Sequence, residues 1–224
     1  MCFQAVLFDF DGVLAHSEPL HQRVYAALLR DLGLELTYAE FAAKYIHLDD
    51  PSVFRAFAAD RELGWDETRV QHLAARAREQ FLAEQEGQDI LYPGMGALTR
   101  ALAREIPLAV VSMGDRRMIE MALRQASIAE CFTASVAAGE VARPKPDPEP
   151  YLRGLELINQ ARGARIPPGA CAVVEDSGGG VCSGKAAGMT ALALLHNQPE
   201  DVLREAGADR LFNSVAELAA FLTE

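Results

Sequence analysis

Basic residues, organised cysteine and long apolar runs are all in short supply in this chain. Its 224 residues include 21 Lys and Arg against 32 Asp and Glu, for a net charge of −11. Nucleic acid or an anionic membrane would be repelled by such a surface, so neither is expected as a partner. An anionic substrate would need locally reversed charge from a metal, a lysine or helix N-termini. The four cysteines, Cys2, Cys131, Cys171 and Cys182, have neither CxxC nor Cys/His ligand spacing, which is the pattern of reduced thiols in a cytoplasmic protein. No apolar run approaches the roughly 20 residues of a membrane helix. The start of the chain lacks the basic and apolar stretches of a signal peptide. Repeats and low-complexity segments are missing too. A soluble, cytoplasmic protein is expected, its oligomeric state open and a monomer plausible. Half the residues are hydrophobic and 24% are charged, enough for a sizeable core.

The most informative segment is Phe8-Asp9-Phe10-Asp11-Gly12-Val13-Leu14, directly after the apolar run Phe3 to Leu7. Residues two apart on a strand share a face, so Asp9 and Asp11 are expected to look into one pocket. Carboxylates that close repel unless a cation or a shared proton compensates. Gly12 allows a sharp turn and a close approach to a ligand. The run Phe3–Asp9 reads as a strand covered on both faces. Similar runs recur at Pro107–Ser112, Ala170–Glu175 and Thr190–Leu195, with a weaker one at Arg210–Phe212. Helical patterns separate them: Leu98/Leu102, Met118/Ala122, Leu152/Leu155/Ile158 and Leu218/Leu222. This alternation predicts an α/β fold, a doubly wound Rossmann-like parallel sheet. Ligands bind such sheets at the carboxyl ends of strands, where Asp9, Ser112 and Glu175-Asp176 fall.

From Leu14 to Tyr92 the rhythm becomes helical. Leu20, Val24, Leu28 and Leu32 form one stripe, followed by Phe41 and Tyr45 and by Val53 and Phe57. Thr37-x-x-Glu40 reads as a capping box. Asp50-Pro51 reads as a cap followed by proline at the first helical position, and a long helix is expected over Asp66–Glu84. The predicted division is an α/β catalytic core of residues 1–14 and 92–224 with an all-α cap domain of residues 15–91 inserted over the site. Hinges are expected near Ala15–Glu18 and Asp89–Pro93, so that the cap closes on substrate.

Three further motifs carry chemistry: Ser112-Met113-Gly114, Lys145 within Arg143-Pro144-Lys145-Pro146-Asp147-Pro148, and Glu175-Asp176-Ser177-Gly178-Gly179-Gly180. Singly, each has a plain structural reading, as a helix cap, a stiff turn or a strand-to-helix turn. Together, two acidic loops, a hydroxyl and a lysine on neighbouring strand ends make an economical phosphoryl-transfer site.

With these motifs in order and a helical insert after the first strand, the chain resembles the haloacid dehalogenase (HAD) superfamily. The likeness is to its helical-cap phosphatase and β-phosphoglucomutase-like branch, and it covers essentially the whole length. The resemblance implies Asp9 as nucleophile, forming an aspartyl-phosphate, and Asp11 as general acid and base. It implies Mg²⁺ held by the Asp9 carboxylate, the Asp11 backbone carbonyl and Asp176, with Glu175 beside them. Ser112, Met113 and nearby amides would hold the phosphoryl group, and Lys145 would neutralise its charge. His21 and His47 are candidate substrate contacts from the cap. Two features depart from the branch. His16 stands where an aspartate is usual, which suggests a hinge or structural role. Ile46-His47-Leu48-Asp49-Asp50 lacks the usual cap glycine and the mutases' hydroxyl and arginine. The expected activity is Mg²⁺-dependent hydrolysis of a small phosphorylated metabolite, phosphoglycolate-like or a sugar phosphate. A phosphomutase is the alternative; acidic residues in the cap loop count against it unless Arg23, Lys44 or Arg55 supplies the cationic contact. A dehalogenase needs no Asp11 or metal pair, and a phosphonate hydrolase would need a Schiff-base lysine, for which Lys44 has no motif. A phospho-accepting receiver module is far shorter, and nothing in the motifs favours a silent binding protein.

Overall fold

The computed structural model describes residues 3–46 and 48–223. The chain separates into two compact units, Ser17–Gln88 and Met1–His16 together with Asp89–Glu224. Among the described residues no helix is long and apolar enough to cross a membrane.

The Ser17–Gln88 unit contains helices α1 (Glu18–Arg30), α2 (Tyr38–Lys44), α3 (Asp50–Asp60) and α4 (Glu67–Gln85). Their apolar stripes bury Leu20, Val24, Tyr25, Leu28, Phe41, Val53, Phe54, Phe57, Val70, Leu73 and Phe81, with α4 packed on α1 and α3. Leu32 does not extend the α1 stripe: the helix ends at Arg30, and Leu32 is 37% exposed. Thr37 caps α2 as its motif predicts, accepting from the Glu40 N–H at 3.2 Å. Asp49 rather than Asp50 caps α3, accepting from the Ser52 N–H at 2.9 Å. Asp50 and Pro51 therefore lie in the first turn, where a missing N–H has no helical partner to lose.

The other unit is a six-stranded, all-parallel sheet of β1 (Ala5–Phe8), β2 (Leu108–Val111), β3 (Phe132–Val136), β4 (Cys171–Glu175), β5 (Thr190–Leu194) and β6 (Arg210–Phe212). The spatial order is β3-β2-β1-β4-β5-β6. Its helices are α5 (Met95–Leu102), α6 (Arg116–Gln125), α7 (Glu149–Arg162), α8 (Gly178–Ala186), α9 (Glu200–Glu205) and α10 (Val215–Thr223). Strand alternation sends Val6, Phe8, Val110, Val174 and Leu192 into one core with Leu98, Ile119 and Leu218. Leu7, Ala109, Val111, Val173 and Ala193 enter the opposite core with Tyr151, Leu155, Ile158 and Val181. Two covered faces explain why these strands read as unbroken apolar runs. Strand β3 has no such run. It is an edge strand pairing only with β2, and Phe132 to Ser135 are half-buried.

Ala15 pairs with Leu91, the His16 N–H donates to the Ile90 carbonyl at 2.7 Å, and the Tyr92 N–H donates to the Leu14 carbonyl at 3.0 Å. These bonds zip residues 15–16 and 90–91 onto the α/β unit, which takes in Met1–His16 and Asp89–Glu224.

Candidate active site

Connections leave β1 toward one side of the sheet and β4 toward the other, so β1 and β4 flank the point where the strand order reverses. A crevice at the strands' carboxyl ends is expected there. Asp9 follows β1 and its N–H donates to the Val174 carbonyl at 2.9 Å. Because β1 ends at Phe8, strand alternation is not what relates Asp9 to Asp11. The chain has already begun to turn, with the Phe10 carbonyl accepting from the Leu14 and Ala15 N–H groups. Gly12 has φ +75°, and a Cβ there would stand 1.9 Å from Asp176 Oδ2. Only glycine serves at this point, on both counts.

Ser112 ends β2. It is 1% exposed, and its Oγ accepts from the Gly114 N–H at 2.9 Å. Half-buried Met113 lies between them. The Asp11 carboxylate approaches the same loop, since a Cβ on Gly114 would lie 3.3 Å from Asp11 Oδ2 and 3.2 Å from Ser112 Oγ.

Lys145 lies in the loop before α7, which Ser183 of α8 fastens by donating to the Asp147 carbonyl at 2.6 Å. Its ammonium donates to Asp9 Oδ1 at 2.8 Å, the Val111 carbonyl at 2.9 Å and Glu175 Oε1 at 2.6 Å. All three ammonium hydrogens thus have an acceptor. Glu175 is fully buried. Tyr151 donates to its Oε1 at 2.6 Å, and the Asp176 N–H, the Ser177 N–H and the Ser177 hydroxyl reach its Oε2. Gly180 makes room for it, because a Cβ there would meet the Glu175 carboxylate at 1.9 Å. The sequence reads the glycines opening α8 as part of a strand-to-helix turn. None of the three has a positive φ, and what Gly180 supplies is close approach.

Charge at the site is unbalanced. One oxygen each from Asp9, Glu175 and Asp176 lie within 4.8 Å of one another, with Asp11 close by and Lys145 bonded to Asp9 and Glu175. Burial, helped by Glu175 and Asp11 and opposed by Lys145, pushes the Asp9 carboxyl up to about 7. Burial disfavours the Lys145 ammonium, but Asp9 and Glu175 outweigh it and raise its pKa above the usual lysine value. Burial and Glu175 together raise the Tyr151 hydroxyl well above its ordinary range. A surplus of hard oxygen donors in a buried site suits a divalent cation. Glu175 is the least available of the candidates, its oxygens being already met by five donors.

Asp9, Asp11, Ser112, Met113, Lys145, Glu175 and Asp176 therefore all lie in the α/β unit, at the end of β4, on the loops leaving β1, β2 and β4 and on the loop before α7. His21 belongs to the helical unit, stacked on Phe81 at 4.2 Å and on Tyr25 at 5.7 Å. His47 lies outside the described residues. Arg23, Lys44 and Arg55 are ion-paired within the helical unit, to Glu84, Asp60 and Glu67. His16 stacks on Tyr92 at 5.1 Å. Sequence reasoning missed Tyr151, which reads as an ordinary core aromatic, and the loop His196-Asn197-Gln198. That loop follows an apolar strand run, as Asp9 and Glu175-Asp176 do, and the same strand-end rule would have found it.

Residues 3–188 match the family model described as haloacid dehalogenase-like hydrolase. Hexitol phosphatase A of Escherichia coli is 30% identical over 95% of this chain and 91% of its own length. The chain spans only 20% of the chloroplastic protein SUPPRESSOR OF QUENCHING 1 of Arabidopsis thaliana, at 26% identity over 96% of this chain. A HAD family hydrolase from Deinococcus radiodurans, solved with bound phosphate and sodium, superposes with a TM-score of 0.78 at 31% identity, covering 99% of this chain and 96% of that one. Its motifs, its sheet and its relatives agree: this chain belongs to the haloacid dehalogenase-like hydrolase family.

Proposed function

We propose that the protein is a Mg²⁺-dependent phosphatase that hydrolyses a small phosphorylated metabolite through an aspartyl-phosphate on Asp9. The observation that carries this reading is the buried surplus of carboxylates around Lys145 at the sheet's switch point. The Asp9 and Asp176 carboxylates and the Asp11 backbone carbonyl would hold the ion. When bound, it would neutralise charge on the phosphoryl oxygens.

An Asp9 oxygen attacks phosphorus, the ester P–O bond breaks, and Asp11 gives its proton to the departing oxygen. Asp11, now ionised, takes a proton from the water that attacks the phosphoenzyme. The bond between phosphorus and Asp9 then breaks, releasing inorganic phosphate and restoring both carboxyl groups. Lys145 orients Asp9 and offsets charge on the transferred group, and Glu175 and Tyr151 hold Lys145 in place. The Ser112 hydroxyl and the Met113 amide would bind phosphoryl oxygens. The likeness to hexitol phosphatase A favours a phosphorylated sugar or sugar alcohol as substrate class, with phosphoglycolate-like esters second.

Phosphate release from a panel of small phosphate esters, with Mg²⁺ and with EDTA, tests the reading. Release that depends on Mg²⁺ is expected, greatest with sugar or sugar-alcohol phosphates. No release from any ester, or release indifferent to EDTA, overturns it. Asp11→Asn is expected to lower kcat by about a hundredfold or more for esters with a poor leaving group. With p-nitrophenyl phosphate, whose leaving group needs less protonation, formation of the phosphoenzyme should suffer less. Near wild-type turnover of a sugar phosphate would remove Asp11 from its role.

A further inference from the structure

The loop after β5 sends three consecutive side chains to three separate segments of the site. His196 Nδ1 lies 2.8 Å from the Gly12 carbonyl oxygen. Asn197 Nδ2 donates to Asp176 Oδ2 at 2.7 Å. Gln198 Oε1 accepts from the Gly178 N–H, in the first turn of α8, at 2.7 Å. A carbonyl and a carboxylate only accept, so His196 must carry its proton on Nδ1 and Asn197 must present its NH₂ group. The segments meet where no further atom fits: a Cβ on Gly12 would lie 1.9 Å from Asp176 Oδ2 and 2.4 Å from Asn197 Nδ2. His196 is itself held by stacking on Tyr92 at 4.0 Å, with His16 also stacked on that ring.

We infer that His196-Asn197-Gln198 is a positioning clamp that presets the cation-binding carboxylates, with Asn197 setting the orientation of Asp176. A carboxylate held through Oδ2 is not free to rotate, so its placement toward Asp9 is fixed before a cation arrives. Preset donors lose less freedom on binding, and residues that hold metal ligands in this way affect affinity without touching the ion. His196 acts on the other acidic loop, since a bond to the Gly12 carbonyl restrains the Gly12–Val13 peptide, one residue beyond Asp11. Burial lowers the His196 pKa below the ordinary histidine value. Gln198 ties the clamp to the start of α8, in the loop that carries Asp176.

The inference rests on the proposed metal site but not on the identity of the substrate, so the test reads the metal directly. Mn²⁺, an oxygen-preferring probe, is titrated calorimetrically into wild type, Asn197→Leu and His196→Phe. The Phe variant keeps the aromatic stack and loses the N–H. Asn197→Leu is expected to weaken Mn²⁺ binding by about ten- to a hundredfold at unchanged stoichiometry, and His196→Phe by a smaller factor. Much of kcat is expected to return at saturating Mn²⁺. A role confined to stability would instead lower the number of competent sites, and the melting temperature in EDTA, while leaving the Kd of the remaining sites unchanged. That result, or wild-type affinity in Asn197→Leu, overturns the clamp alone. Wild-type protein that binds no Mn²⁺ overturns the metal reading and the clamp with it. Asn197→Ala, which removes the donor without adding bulk, gives the same readout if the leucine variant is too unstable to titrate.

Discussion

Asp9→Asn is expected to drop phosphate release below detection while leaving the protein folded and, without metal, harder to melt at pH 8 than wild type. An amide oxygen is a poor nucleophile, and removing the nucleophile from a covalent mechanism costs on the order of a millionfold. The gain in stability follows from the crowding of carboxylates. Burial, Glu175 and Asp11 raise the Asp9 pKa from 3.8 to about 7, so the folded protein holds a proton there that the unfolded chain has released. The stability this group contributes is present in full below pH 3.8 and is lost as pH rises through about 7. Above that point an ionised Asp9 opposes folding by on the order of a few kcal/mol, and asparagine carries no such charge. Melting curves in EDTA should nearly coincide at pH 4 and separate toward pH 8. Substantial turnover in the variant would sink the nucleophile assignment. Coincident melting at pH 8 would sink the electrostatic account and leave that assignment standing.

Lys145→Met has the second largest expected effect, and it acts on stability as well as rate. Methionine roughly matches the lysine stem in volume but offers no donor, so Glu175, with its side chain fully buried, loses its cation. Removing one partner of a buried ion pair costs about 3–5 kcal/mol, because the remaining charge stays desolvated. Urea unfolding in EDTA should register a loss of that size. Mg²⁺ should restore part of it, since a ligand that binds only the folded state stabilises it by mass action. Turnover should fall by about 10²- to 10³-fold even at saturating Mg²⁺, the usual scale for removing a preorganised electrostatic contact. An unfolding free energy within about 1 kcal/mol of wild type would mean that Tyr151 and the surrounding amides hold Glu175 without help. Arginine is a poor substitute, because its planar fork does not match three acceptors arranged around one nitrogen.

Much of this was legible in order along the chain. Phe3 to Leu7 announced a doubly covered strand, and the acids after it and after Cys171–Val174 stood at strand ends, where α/β sheets bind ligands. The HAD likeness came from those same residues. Strand β3 was not legible: an edge strand packs less of its surface, so Phe132-Thr133-Ala134-Ser135-Val136 shows neither an unbroken apolar run nor a clean alternation. The cap of α3 was misread by one residue because Asp49 and Asp50 are chemically equivalent, and only backbone geometry chooses between them. The reason for pairing Asp9 with Asp11 was also different from the one expected. Strand alternation ends at Phe8, and the turn closed at Gly12 brings the second carboxylate in.

What the sequence determined by itself was local: which runs become strands, which stripes become helices, and which strand ends carry acids. Those properties depend on neighbours a few residues away and on the two periods of helical and extended backbone. Tertiary structure decided which groups meet. Lys145 bonds to Asp9 across 136 residues and to Glu175 across 30, because the sheet sets β2, β1 and β4 side by side. The same order brings β5 beside β4 and so puts Asn197 against Asp176. It also made Gly180, part of a strand-to-helix turn in the sequence, the space for a buried carboxylate. Contacts of this kind depend on sheet order and close packing between distant segments, so no local reading of the chain contains them.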